Sequence, residues 1–190
     1  LCSPVTELLR LCRPRAGGRG DTFPPDTDAA GTRMRYWLMK SEPDEFSIDD
    51  LVRAKGRTTP WFGVRNYQAR NYMRDMKVGE RAFFYHSSCP EPGIAGIVEV
   101  SRLAYPDATQ FDPKSDYYDA KATRDAPRWD HVDVRLVEKT RLVSLPELRG
   151  EPALADMVIL RRGNRLSITP VSGDEWKAIV RLAARMPPSA

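Results

Sequence analysis

His86-Ser87-Ser88-Cys89 brings an imidazole, two hydroxyls and a thiol together within four residues of this 190-residue chain. Nucleophilic catalysis needs a base within hydrogen-bond reach of the attacking atom, and a third group to orient that base. The sequence offers one other imidazole, His131, and marks no carboxylate as an orienting partner. The plainer alternative is a histidine at a strand end and a turn cysteine before Pro90. Two histidines and three scattered cysteines (Cys2, Cys12 and Cys89) give no metal-ligand spacing. No catalytic residue, metal or cofactor is expected.

The stretch Trp61-Phe62-Gly63-Val64-Arg65-Asn66-Tyr67-Gln68-Ala69-Arg70-Asn71 supports a different chemistry. Two aromatics sit in a loop before a helix, Gly63 allows close backbone approach, and Asn66 is placed to cap the helix. Between Trp61 and Lys77, Arg65, Arg70, Arg74 and Lys77 outweigh Asp75. Aromatics beside a basic helix start suit a flat, electron-rich ring attached to phosphate. The alternative is a core tryptophan beside a solvated helix face. Gly93-Ile94-Ala95-Gly96 has the spacing of a backbone-clamping Gly-x-x-Gly loop, but strands flank it, so a hairpin or bulge glycine pair is expected.

The elements that must hold these residues are short. Tyr36–Met39 is an aromatic-rich strand ending before Pro43. Ser47-Ile48-Asp49-Asp50 resembles a capping box, and Ile48, Leu51 and Val52 recur at helical spacing up to Gly56. A second helix is expected from Asn66 to Met76, with Ala69, Tyr72, Met73 and Met76 on one face. Strands are expected at 80–86, 96–103, 131–139 and 165–169, the last ended by Pro170. Ser172-Gly173-Asp174-Glu175 opens a C-terminal helix with Trp176, Ile179, Val180 and Ala183 on its apolar face. Residues 105–130 show no period, yet hold Phe111, Tyr117, Tyr118 and Trp129, which favours an ordered loop packed on the body. Short strands without βαβ alternation imply an α+β fold: a small, mostly antiparallel β-barrel with peripheral helices.

Composition bounds the rest. Hydrophobic residues make up 41% and charged residues 29%, ordinary for a globular chain. No apolar run approaches the roughly 18 residues of a membrane span, so no membrane partner is expected. The net charge of +4 permits a polyanionic partner without requiring one. Residues 1–33 contain one of the aromatics, Phe23, and no sustained period, so they are expected to be a flexible leader. The folded domain is expected at 34–186, followed by a short tail at 187–190. Cysteine usage without a disulfide framework or signal peptide points to a cytoplasmic location. Composition carries no oligomeric state.

Three runs closely resemble the EVE-domain family: Met34 to Pro43, Trp61 to Asn71, and Phe84-Tyr85-His86-Ser87. Asp112 to Asp119, Pro127-Arg128-Trp129 through Val134, and Ile168 to Val171 fit it too, and the likeness runs in order over about 34–182. Ala120 and Ala122 depart from the pattern, standing where a proline and a serine are expected. The resemblance implies a PUA-like fold related to the YTH readers of methylated RNA bases. It also implies a pocket for a modified base in DNA or RNA in place of an established catalytic activity.

Mapped onto this sequence, Trp61 is the first choice for an aromatic wall, with Trp37, Tyr85 and Trp129 behind it. Ser41, Asn66, His86 and Ser87 are candidates for reading the base edge. Lys40, Arg65 and Arg70 are candidates for flanking phosphates. The competing expectations are a small nucleic-acid-modifying or hydrolytic enzyme using His86, with Cys89 beside it, and a barrel binding a small molecule or peptide.

Overall fold

The computed structural model describes residues 34–185; the expected leader at 1–33 and tail at 187–190 lie outside them. Alternation within the first strand sets the architecture. In β1 (Tyr36–Ser41), Trp37 and Met39 enter one apolar cluster while Tyr36 and Leu38 enter another. In β3 (Arg81–His86), Ala82 and Phe84 join the first cluster, and Phe83 and Tyr85 the second. Successive side chains of a strand point to opposite faces, so this sheet is covered on both.

One six-stranded sheet results, in the order β2-β5-β4-β3-β1-β6. Its remaining strands are β2 (Thr58–Pro60), β4 (Gly93–Pro106), β5 (Asp130–Ser144) and β6 (Ile168–Val171). All pairings are antiparallel except β1 with β3. That parallel pair corrects the expectation of no βαβ alternation. The chain crosses between the two strands through helix α1 (Ile48–Arg53), β2 and helix α2 (Tyr67–Asp75). The sheet is mixed, and among the described residues no ladder joins its end strands β2 and β6.

The two long strands, β4 and β5, exceed their expected lengths and pair with several register shifts. One lies between Ile94 and Gly96, so the Gly93–Gly96 pair is a bulge. A Cβ on Gly96 would sit 2.7 Å from the Glu138 carbonyl oxygen, so the close strand approach there requires glycine. At the other edge, Pro170 does not end its strand. It sits inside β6 opposite Trp37, which an edge strand tolerates because the missing N–H can face away from the ladder.

Helix α4 (Gly173–Ala184) packs Trp176, Ala178, Ile179 and Leu182 into the second cluster, while Val180 and Ala183 are only partly buried. Helix α1 has the expected capping box, Ser47 with Asp50. Helix α3 (Leu145–Gly150) has another, Ser144 with Glu147. The 105–130 segment is ordered: β4 runs to Pro106, a single 3-10 turn follows at Ala108–Phe111, and Asp107, Gln110 and Trp129 are buried.

Candidate nucleic-acid interface

Trp61 stands where the chain leaves β2, its backbone N–H bonded to the Val132 carbonyl at 2.7 Å. The indole is 7% exposed and meets the Phe84 ring edge-on, 5.2 Å between centroids. It is therefore a core side chain with one edge on a cavity of about 460 Å³. Phe46, Phe62, Val64 and Tyr117 supply the other apolar walls. Lys40, Ser41, Ser87 and Ser167 line the polar side. Volumes from about 300 Å³ upward are usual for small-ligand sites. Charge at the lining is balanced: Lys40 and Arg165 face Glu42 and Glu45.

A buried carboxylate braces this wall. Asp107 is fully buried and accepts the Gly63 N–H at 3.1 Å and an Arg65 guanidinium N–H at 2.9 Å. It also accepts the Thr109 N–H at 2.9 Å and the Thr109 hydroxyl at 2.6 Å. Burial alone would raise its pKa, but the hydrogen bonds from Thr109, Arg65 and Gly63 outweigh it and hold the carboxyl below its usual value. Gly63 has φ +82°, and a Cβ there would lie 2.7 Å from the Tyr117 ring. Only glycine lets the chain turn so close beneath Tyr117. The Tyr117 hydroxyl in turn donates to Glu45, at 2.7 and 2.9 Å to the two carboxylate oxygens. Burial, then that hydrogen bond and charge, push the phenol up to about 12. The long loop is thus tied to the Glu42–Phe46 turn across the cavity.

Four of the residues nominated from sequence meet at this cavity: Lys40, Ser41, Trp61 and Ser87. Lys40 is partly buried, which lowers its pKa. Ser41 donates to the Phe46 carbonyl at 2.6 Å, and Ser87 reaches the Ser41 carbonyl at 3.4 Å. The Ser87 hydroxyl is weakly held and can turn toward a ligand.

The other nominees are placed elsewhere. Asn66 caps α2, its side-chain oxygen accepting from Gln68 and Ala69 N–H. His86 caps α1: its Nε2 accepts the Ile48 N–H at 3.1 Å, and burial lowers its pKa. Trp37 is buried with its indole N–H on Glu80 at 2.8 Å. Trp129 stacks on Tyr67 and donates to Asp119 at 2.8 Å. Tyr85 faces the opposite side of the sheet and lines a second cavity. Arg65 is committed to Asp107, Thr109 and the Tyr117 carbonyl. Arg70 bonds the Arg128 carbonyl at 2.8 Å and lies over the Tyr67 ring. The two arginine candidates for phosphate, Arg65 just before α2 and Arg70 on it, are thus occupied by the protein itself.

Phe46, Glu45, Tyr117, Arg165 and Ser167 belong to the cavity and were not nominated. Tyr117 carried a signal, as one aromatic of an unpatterned loop; the others carried none that local spacing could expose. Among the described residues no group of three or more potential ligands could hold a metal, and no helix is long and apolar enough to cross a membrane.

A family model described as the EVE domain matches residues 35–182. Human thymocyte nuclear protein 1 is 42% identical over 190 residues, spanning 88% of this chain and 84% of that protein. A solved Pseudomonas putida protein is 52% identical with a TM-score of 0.75, covering 78% of this chain and 99% of its own. A crystal structure of human THYN1 protein in complex with DNA containing 5-methylcytosine is 44% identical, with a TM-score of 0.76 and coverage of 80% and 99%.

Proposed function

This chain belongs to the EVE domain family, and from that premise we propose that it binds DNA non-catalytically, taking one modified base out of its stack into the Trp61 cavity. The observation that carries this reading is the cavity itself: aromatic and apolar walls on one side, hydroxyls and an amine on the other, and no net charge at its lining. A neutral heterocycle matches that balance. The crystallised human relative bound to 5-methylcytosine-containing DNA supports both the polymer and the class of base.

The magnitudes are compatible. Extruding a base costs a few kcal/mol, and stacking on an aromatic side chain returns about 1–3 kcal/mol. A methyl group discriminates by filling apolar space, worth about 1–3 kcal/mol. Hydroxymethyl could gain a further bond from Ser87 or Ser167. The absence of catalysis is part of the proposal. Its support is that His86 already spends Nε2 on the Ile48 N–H, so acting as a base would mean uncapping α1. The cytoplasmic location expected from the sequence stays with this reading, while the relatives bear the word nuclear in their names.

Fluorescence anisotropy with matched oligonucleotides carrying cytosine, 5-methylcytosine or 5-hydroxymethylcytosine tests the proposal. We expect at least about fivefold tighter binding of a modified form, near 1 kcal/mol, reduced by Phe62→Ala. Equal affinities for all three, unaffected by that substitution, would refute it.

A further inference from the structure

Behind Lys40, Ser87 and Ser88 lies a second cavity, of about 540 Å³, which shares those three residues with the first. Its charge differs: the first cavity is balanced and this one is cationic. Arg149, Arg161 and Arg162 join Lys40 at its lining, and none of the described residues lining it carries a carboxylate. All three arginines are exposed. No ion pair among the described residues includes any of them. Arg161 makes one bond, to the Asp156 carbonyl. The contrast with Arg65 and Arg70, which are held by protein acceptors, is direct.

A second observation points to the same ligand chemistry. Asn164 lines this cavity; its side-chain oxygen accepts the Leu166 N–H at 3.1 Å, while its amide nitrogen is buried without a partner among the described residues. An unpartnered buried donor costs free energy unless an acceptor arrives. Guanidinium forks, an ammonium, serine hydroxyls and this amide make a set dominated by donors. Phosphate oxygens are acceptors only, and guanidinium geometry suits them.

We propose that the second cavity seats the backbone phosphate next to the base held in the first, with Arg149, Arg161, Arg162 and Asn164 as its ligands and Lys40 standing between base and phosphate. This rests on the proposed function for the placement of the base, but the phosphate seat makes its own prediction. The polymer's charge is read on the α3 side of the sheet, not by the arginines of α2. Each neutralised phosphate contributes about 0.7–0.9 to the slope of log affinity against log salt.

The experiment measures anisotropy of full-length protein with a single-stranded oligonucleotide, with and without 5-methylcytosine, from 50 to 200 mM salt. The double variant Arg149→Gln/Arg162→Gln alters only exposed side chains and is expected to fold normally, checked by its melting temperature. We expect about tenfold weaker binding of both oligonucleotides and a salt slope shallower by about 0.7, the share of one phosphate on a single strand, with the ratio between them unchanged. Lys77→Gln, an exposed lysine beyond α2, should leave the slope as in wild type. An unchanged slope in the double variant would overturn the phosphate seat, even if the modified base is still preferred. A ratio of one in wild type would instead strike the base cavity, leaving the slope to decide the seat. No binding of either oligonucleotide would overturn both.

Discussion

The two cavities share Lys40, Ser87 and Ser88, and little else. The first is walled by aromatics and balanced in charge; the second is cationic, with no carboxylate among its described lining residues. Their construction differs as much. The first is over-determined: Asp107 holds Gly63 and Arg65, and Tyr117 is tied to Glu45. The second presents exposed arginines with no ion-pair partner among the described residues, Arg149 on α3 and Arg161 and Arg162 on the chain that follows it. A rigid slot suits discrimination by shape, which fails when walls are about 1 Å out of place. Exposed guanidiniums suit a phosphate, which is met from many directions. The difference teaches that counting arginines does not locate a polyanion site; what matters is which arginines the protein has already satisfied.

The largest effect should come from the brace of the first cavity. Asp107→Ala leaves Arg65 facing a buried void and frees the Gly63 and Thr109 N–H groups. Chemical denaturation should show a loss of about 3–5 kcal/mol, and a loss below 1 kcal/mol would mean the brace carries little. Gly63→Ala comes next. The left-handed φ and the contact with Tyr117 together should cost about 2–4 kcal/mol. Base preference should vanish while the salt slope survives, which would separate the two cavities cleanly. Phe62→Ala sharpens the comparison without touching the core, because that ring is 45% exposed. It should weaken binding of the modified oligonucleotide by about 1–3 kcal/mol and leave the melting temperature nearly unchanged.

The smallest effect is one of pH. Burial lowers the pKa of His86 and of His131. A folded-state pKa below the unfolded value means the unfolded chain binds more protons in between, so stability falls as pH drops below about 6.5 toward the folded value. Neutral His86 caps α1, next to the Glu42–Phe46 turn that walls the first cavity. Melting curves from pH 8 to pH 5 should decline on the acid side, and His86→Gln should flatten part of that decline. Base preference should fade before overall affinity, since guanidinium charge persists throughout. A flat profile would contradict the capping role.

Much of this was legible because local chemistry fixes it. The aromatic-rich run at 36–39, the capping boxes at Ser47 and Ser172, and the Asn66 cap each determine an element within a few residues. Helix α3 was not expected, although its Ser144-x-x-Glu147 box is of the same local kind. Sheet order was not readable, because the parallel pairing of β1 with β3 depends on a crossover spanning 42–80. At the site, Trp61 and Gly63 declare themselves by type and position. Arg65 and Arg70 misled for a physical reason: their acceptors, Asp107, Thr109 and the carbonyls of Tyr117 and Arg128, lie 42–58 residues away in sequence. Arg161-Arg162 drew no notice because nothing adjacent in sequence shows that they border Lys40.

A crystal structure of the full chain with a short 5-methylcytosine oligonucleotide is the most direct test of the central claim. The account predicts the methylated ring inside the Trp61 cavity, between Phe62 and the Ser87 hydroxyl, with the neighbouring phosphate beyond Lys40. Finding that base still stacked in the nucleic acid and the cavity beside Trp61 unfilled would contradict it.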